Sequence, residues 1–140
     1  MNAQQRIGVR REVALQADCF YDQAQELGKL AAEAKTNRAQ ISGLEAIVNS
    51  ADKTSDVLDF IKLRVARHPE WRKGDWGAKL LDALSKDLRK TKDDTCKELE
   101  IERQGLDGLE VHLLLMREFV RQVAAHYEYA THVARETRHE

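Results

Sequence analysis

Apolar residues recur at steps of three and four along almost the whole chain, and only one proline, Pro69, stands among its 140 residues. That spacing selects helices over strands, and with so few breakers the helices can run long. Val13, Ala17, Phe20, Ala24, Leu27, Ala31 and Ala34 form a narrow seam, small and aromatic in turn, which predicts a first helix from about Arg11 to Ala34. Gly28 falls inside it, although glycine costs a helix interior about 1 kcal/mol against alanine.

Thr36-Asn37 breaks the pattern, and Asn37 with Gln40 has the spacing of a capping box. A short helix with Ile41, Leu44, Ile47 and Val48 on one face is expected to end at Asn49-Ser50. Thr54 or Ser55 would cap a third helix, striped by Val57, Leu58, Ile61 and Val65. Its acids lie early (Asp56, Asp59) and its bases late (Lys62, Arg64, Arg67), as the helix dipole favours. His68 to Gly74 is the expected main loop, since Pro69 disfavours a helical conformation at His68. Asp75 is a candidate cap for the next helix, with Leu80, Leu81, Leu84 and Leu88 inward.

Lys90 to Gln104 is so polar that it reads as an exposed helix or a mobile linker. Gly105 and Gly108 bracket the start of a long last helix carrying Leu109, Leu113, Met116, Val120, Val123, Tyr127 and Ala130. No strand alternation, internal repeat or low-complexity tract is present. The expected fold is all-α: a compact bundle of five to six helices with a long C-terminal helix, forming a single helical domain over residues 1–140. A charged fraction of 34% fits helices with one buried stripe and a broad solvated face.

The charges are unevenly placed. Lys62 to Lys92 carries a net +6 and Asp93 to Glu110 a net −5, inside a chain of net −1. A basic middle of this kind can hold a polyanion without any sequence preference. Arg64, Arg67, Arg72, Lys73 and Lys79 are the candidate phosphate contacts, with Trp71 and Trp76 beside them as possible stacking surfaces. The alternative is a solvated face, the two indoles anchoring the loop to the core. The adjacent acidic block allows a further alternative, in which basic and acidic segments of neighbouring copies pair head to tail.

Catalytic signals are absent. No nucleotide-binding glycine loop, nucleophile elbow or H-E-x-x-H spacing occurs. Glu128 and His132 could share a helical face, with His126 and His139 nearby, but such pairs near a charged terminus are ordinarily solvated; no metal or cofactor is expected. Cys19 and Cys96 read as reduced thiols. The N-terminus lacks the apolar run of a secretory signal, and no stretch approaches the roughly 20 apolar residues of a membrane helix. The expectation is a cytoplasmic protein that is not an enzyme.

Two stretches resemble a known family. Thr36-Asn37-Arg38-Ala39-Gln40-Ile41-Ser42-Gly43-Leu44 is similar to the T-T-S-Q-I-R-x-h helix opening of the Csm small-subunit family of type III CRISPR–Cas effector complexes. Phe119-Val120-Arg121-Gln122-Val123-Ala124-Ala125-His126-Tyr127-Glu128-Tyr129 resembles that family's closing helix. The specific matches cover about a sixth of the chain. The resemblance implies a non-catalytic subunit of an RNA-guided ribonucleoprotein. Its copies would stack head to tail beside other effector-complex subunits and touch the backbone of guide RNA and target RNA. Carried over by position, Arg38 and Arg121 are candidate contacts, with Arg117 beside them; the family's Arg after Q-I is Ser42 here, which leaves Lys62 to Lys79 as the stronger site by charge. The rivals are a protein–protein adaptor that self-associates through its charge blocks without nucleic acid, and a helical-bundle enzyme with a carboxylate or histidine metal site.

Overall fold

The computed structural model describes residues 1–138, and every regular element in it is helical. The order is α1 (Ala3–Cys19), α2 (Tyr21–Glu33), α3 (Arg38–Ser50), α4 (Thr54–Arg67), α5 (Trp76–Asp82), α6 (Leu88–Glu98) and α7 (Leu106–Arg138). Short 3-10 turns at Pro69–Trp71 and Lys73–Asp75 join α4 to α5, and a π turn at Ala83–Asp87 fuses α5 and α6 into one rod. Counting that rod as one helix gives six, the upper end of the expectation.

The first seam was placed correctly but divided differently. All seven of its residues are buried, yet the helix starts at Ala3 and breaks at Phe20. Neither glycine nor proline marks the break. Phe20 turns inward at φ −96°, ψ 7° and meets Phe119 edge-on, with ring centroids 5.2 Å apart. The start lies earlier because Asn2 and Gln5 form a reciprocal capping box.

The expected box at Asn37 is only half made. Asn37 accepts from the Ala39 amide, while the Gln40 side chain is drawn to Trp71 and His68. Nor do Thr54, Ser55 or Asp75 act as side-chain caps. Extended Lys53 precedes α4, and Asp75 is left-handed at φ 56°, whereas a capping side chain works from an extended backbone.

The polar segment from Lys90 is no mobile linker. It forms α6 and a tight turn, burying Leu88, Thr95 and Cys96, and burial raises the Cys96 thiol pKa. Even Lys92 is buried, its ammonium donating to the Arg103 carbonyl at 3.0 Å and paired with Asp93 at 2.8 Å. That pairing holds the Asp93 carboxyl below its ordinary range.

α7 is the spine. At about 50 Å it runs the length of the bundle, and α1, α2, α3 and α6 all pack on it. Four of its side chains, five residues apart, each donate to a carbonyl on another part of the fold. His112 Nε2 reaches Leu84 O at 2.9 Å, a carbonyl in the π turn. Arg117 donates to Val48 O and Ala51 O at the end of α3. Gln122 reaches Ala17 O at 2.9 Å beside the Phe20 break, and the Tyr127 hydroxyl reaches Thr36 O. Five residues turn an α-helix by about 140°, so the four donors point around the whole helix. Each helix end or π turn leaves carbonyls without a helical partner, and a buried one left unpaired costs about 1–3 kcal/mol. The apolar stripe and these donors together explain why one helix organises the rest.

α2 lies closest to α7. Ala24, Gly28 and Ala31 face it, and a Cβ added at Gly28 would come within 2.7 Å of Val123 O and of His126 Cβ. α2 ends in a Schellman turn: Lys35 N–H bonds Ala32 O and Thr36 N–H bonds Ala31 O, with Lys35 left-handed at φ 59°. α6 ends the same way, with Glu100 left-handed at φ 56° and Ile101 buried.

Candidate nucleic-acid interface

The basic stretch is built on a rigid base. Trp71 and Trp76 are wholly buried, their rings 4.3 Å apart. The Trp71 indole donates to Gln40 Oε1 and the Trp76 indole to Glu70 O at 3.0 Å. Both faces are therefore covered, and neither indole can stack on a base. The anchoring alternative describes them.

The five candidate cations of this stretch lie on α4, the connecting turns and the start of α5, elements packed against one another. They are not equivalent. Arg64 stacks over Phe60 at 4.5 Å and is half-buried. Arg72 is exposed, but its Nη1 bonds Val65 O and Ala66 O, closing the end of α4. Arg67, Lys73 and Lys79 are exposed and make no ion pair among the described residues.

The remaining three sequence candidates lie elsewhere. Arg38 forms a bidentate pair with Glu128, which holds that carboxyl below its usual range. Arg121 pairs with Glu118 one turn back at 2.7 Å. Arg117 is occupied by the α3 carbonyls. The charges of Arg38 and Arg121 are thus each met by a carboxylate.

The acidic block is divided too. Asp93 pairs with Lys92, Asp107 with the Met1 amine and Glu110 with Arg6, so three of its acids are used within the chain. Asp94, Glu98, Glu100 and Glu102 stay exposed around the end of α6. The α5–α6 rod is about 33 Å long. Along it both signs mix, with Lys79, Lys86, Arg89, Lys90 and Lys97 among Asp82, Asp87, Asp94 and Glu98, so neither end of the rod is wholly basic or wholly acidic.

A second cationic region was not apparent in the sequence. A groove of about 860 Å³ lies along the α2–α7 seam, where Lys29, Lys35, Arg38, Arg135 and Arg138 meet Tyr129. It continues into a shallower depression of about 590 Å³ lined by Tyr21 and Arg121. Lys29 and Lys35 sit in a segment of net −2 and the two late arginines in one of net zero. Counting charge along the chain conceals them; only the packing of α2 on α7 brings them together.

Among the described residues no group of three or more His, Cys, Asp or Glu is placed to hold an ion. Glu128 is engaged by Arg38 and the His126 ring meets Tyr21 edge-on at 4.9 Å, while His139 lies outside the described residues. Cys19 and Cys96 are free thiols. No helix among the described residues is long and apolar enough to cross a membrane. No protein-family model, curated protein or solved structure matches the chain.

Proposed function

We propose that this protein is a non-catalytic RNA-binding subunit of a type III CRISPR effector ribonucleoprotein, touching the guide RNA–target RNA backbone through the basic surface formed by α4, the connecting turns and α5. The observation that carries this reading is the trio Arg67, Lys73 and Lys79: exposed, without an ion pair among the described residues, and mounted on α4, a connecting turn and α5 around two buried indoles. Free cations on a rigid base suit phosphate binding without base readout. Arg64 and Arg72 lie beside them in supporting positions. The net +6 of Lys62 to Lys92 and net −5 of Asp93 to Glu110 support stacking of copies head to tail. The sequence resemblance supplies the effector setting, in a cytoplasmic complex of antiviral defence.

Titration of a labelled RNA duplex tests the binding surface. Arg67→Ala, Lys73→Ala and Lys79→Ala together should weaken binding to all sequences alike and reduce the salt slope by about 3, one for each lost phosphate contact. Unchanged affinity and slope would reject this surface. A pull-down from the native cells tests the setting: short guide RNAs and large partner subunits are the expected cargo. Salt-sensitive self-association with no bound RNA would instead establish the adaptor reading, for which the same charge separation argues.

A further inference from the structure

The groove on the α2–α7 seam has a different character from the α4–α5 surface. There the aromatics are buried; here they are open. Tyr129 is 66% exposed and Tyr21 44%, and each stands among cations: Lys29 and Arg135 near the first, Arg121 near the second. Only Asp18 and Glu33 bring negative charge to the lining. Glu118 and Glu128, just outside it, offset Arg121 and Arg38, so the positive charge with no ion pair among the described residues rests on Lys29, Lys35, Arg135 and Arg138.

We propose that this groove binds a single strand of nucleic acid, phosphates on its cations and unpaired bases against Tyr129 and Tyr21. Three observations point to this ligand. The two depressions share Gln25, His126 and Tyr129, making one continuous path. Between Arg121 and Arg138 that path follows about 25 Å of α7, longer than one nucleotide and suited to several. Alternation of exposed rings with cations is the chemistry that holds unstacked bases, whereas the bases of a duplex are closed to such rings.

Two details at the groove's end agree. Lys35, left-handed at the end of α2, is exposed and adds a cation to the lining. Beside it Thr36 is 3% exposed, and its Oγ1 has no hydrogen-bond partner, leaving a polar atom in the wall. This inference is independent of the effector reading: duplex binding at Arg67, Lys73 and Lys79 can fail while the groove still takes a single strand.

The test is fluorescence anisotropy with a labelled oligouridine octamer at low salt. Tyr129→Ala should weaken binding about 5- to 100-fold, and Tyr129→Phe, which keeps the ring, should retain the affinity. Lys29→Gln with Arg135→Gln should lower the salt slope by about 1.4, from about 0.7 for each single-strand phosphate contact. All three residues are exposed, and unchanged helical circular dichroism would confirm the fold. Preference for the octamer over its deoxy counterpart would assign the groove to RNA; equal affinity would assign it to either strand, and both results support the proposal. It is overturned if the octamer does not bind, if Tyr129→Ala binds as tightly as the wild type, or if uridine monophosphate competes on equal terms with the octamer. Loss of octamer binding in Lys73→Ala with Lys79→Ala but not in the groove variants would overturn it too.

Discussion

Gly28→Ala sets helix propensity against packing, and the two predict opposite signs. Alanine in a helix interior is favoured over glycine by about 1 kcal/mol. At Gly28, however, the new Cβ would stand 2.7 Å from Val123 O and 2.8 Å from Tyr127 N, both backbone atoms of α7. Ordinary contact begins at 3.4 Å, so α2 and α7 must part by several tenths of an ångström. A gap of about 0.5–1 Å forfeits a quarter to a half of each dispersion contact, and here it opens along Ala24, Leu27, Ala31, Val123 and Tyr127. Overpacking costs typically reach about 1–3 kcal/mol; with backbone on both sides we take the upper part of that range. The net expectation is a loss of about 1–2 kcal/mol, which for a chain of this size lowers Tm by about 3–6 °C. Gly43→Ala is the matched control. Its Cβ would meet only the tip of the Phe60 ring, at 3.3 Å, so stability should hold or rise by up to about 1 kcal/mol. Urea unfolding followed by the emission of the buried tryptophans measures both. A Gly28→Ala protein as stable as the wild type, with the same denaturant slope, would refute the packing argument.

Two further predictions concern stability. Burial lowers the pKa of His112 below its ordinary 6.5, so the unfolded chain takes up this proton first as pH falls. Stability present above pH 6.5 should therefore drain away below it until the folded pKa is reached, and urea midpoints between pH 7.5 and 5.5 should fall less in His112→Gln than in the wild type. Lys35→Gly and Glu100→Gly each remove a left-handed side chain and should each stabilise by about 1 kcal/mol in the same assay; if the groove binds a strand, Lys35→Gly should also weaken octamer binding, whereas Glu100→Gly should not.

Much of the fold was legible because burial follows the helical period. The seam from Val13 to Ala34 and the stripe of α7 needed no tertiary information. The break at Phe20 was not legible: the inward ring there packs on Phe119, about a hundred residues away. The Asn37–Gln40 box failed for a similar reason: a distant indole competes for the Gln40 amide. Site legibility divided along the same line. A run of cations on consecutive elements is visible as charge, and Arg67, Lys73 and Lys79 of that run are exposed. Whether Arg72 or Arg117 is occupied by a carbonyl is decided only by where helices end in space. The seam groove, assembled from α2 and α7, leaves no mark in any one stretch.

The central place of α7 has a consequence for the order of events in the cell. α1, α2, α3 and α6 bury their seams on a helix that begins only at Leu106. At a synthesis rate of about 5–20 residues per second, roughly 5–20 s separate the start of α1 from the start of α7. During that interval the emerging helices have no spine to close on. Their apolar stripes, with Ala24, Leu27 and Ala31 among them, are then open to other chains. Most helical bundles assemble through neighbours in sequence and fold fast. This chain must wait for its last quarter, and its vulnerability to aggregation or to chaperone capture belongs to that delay.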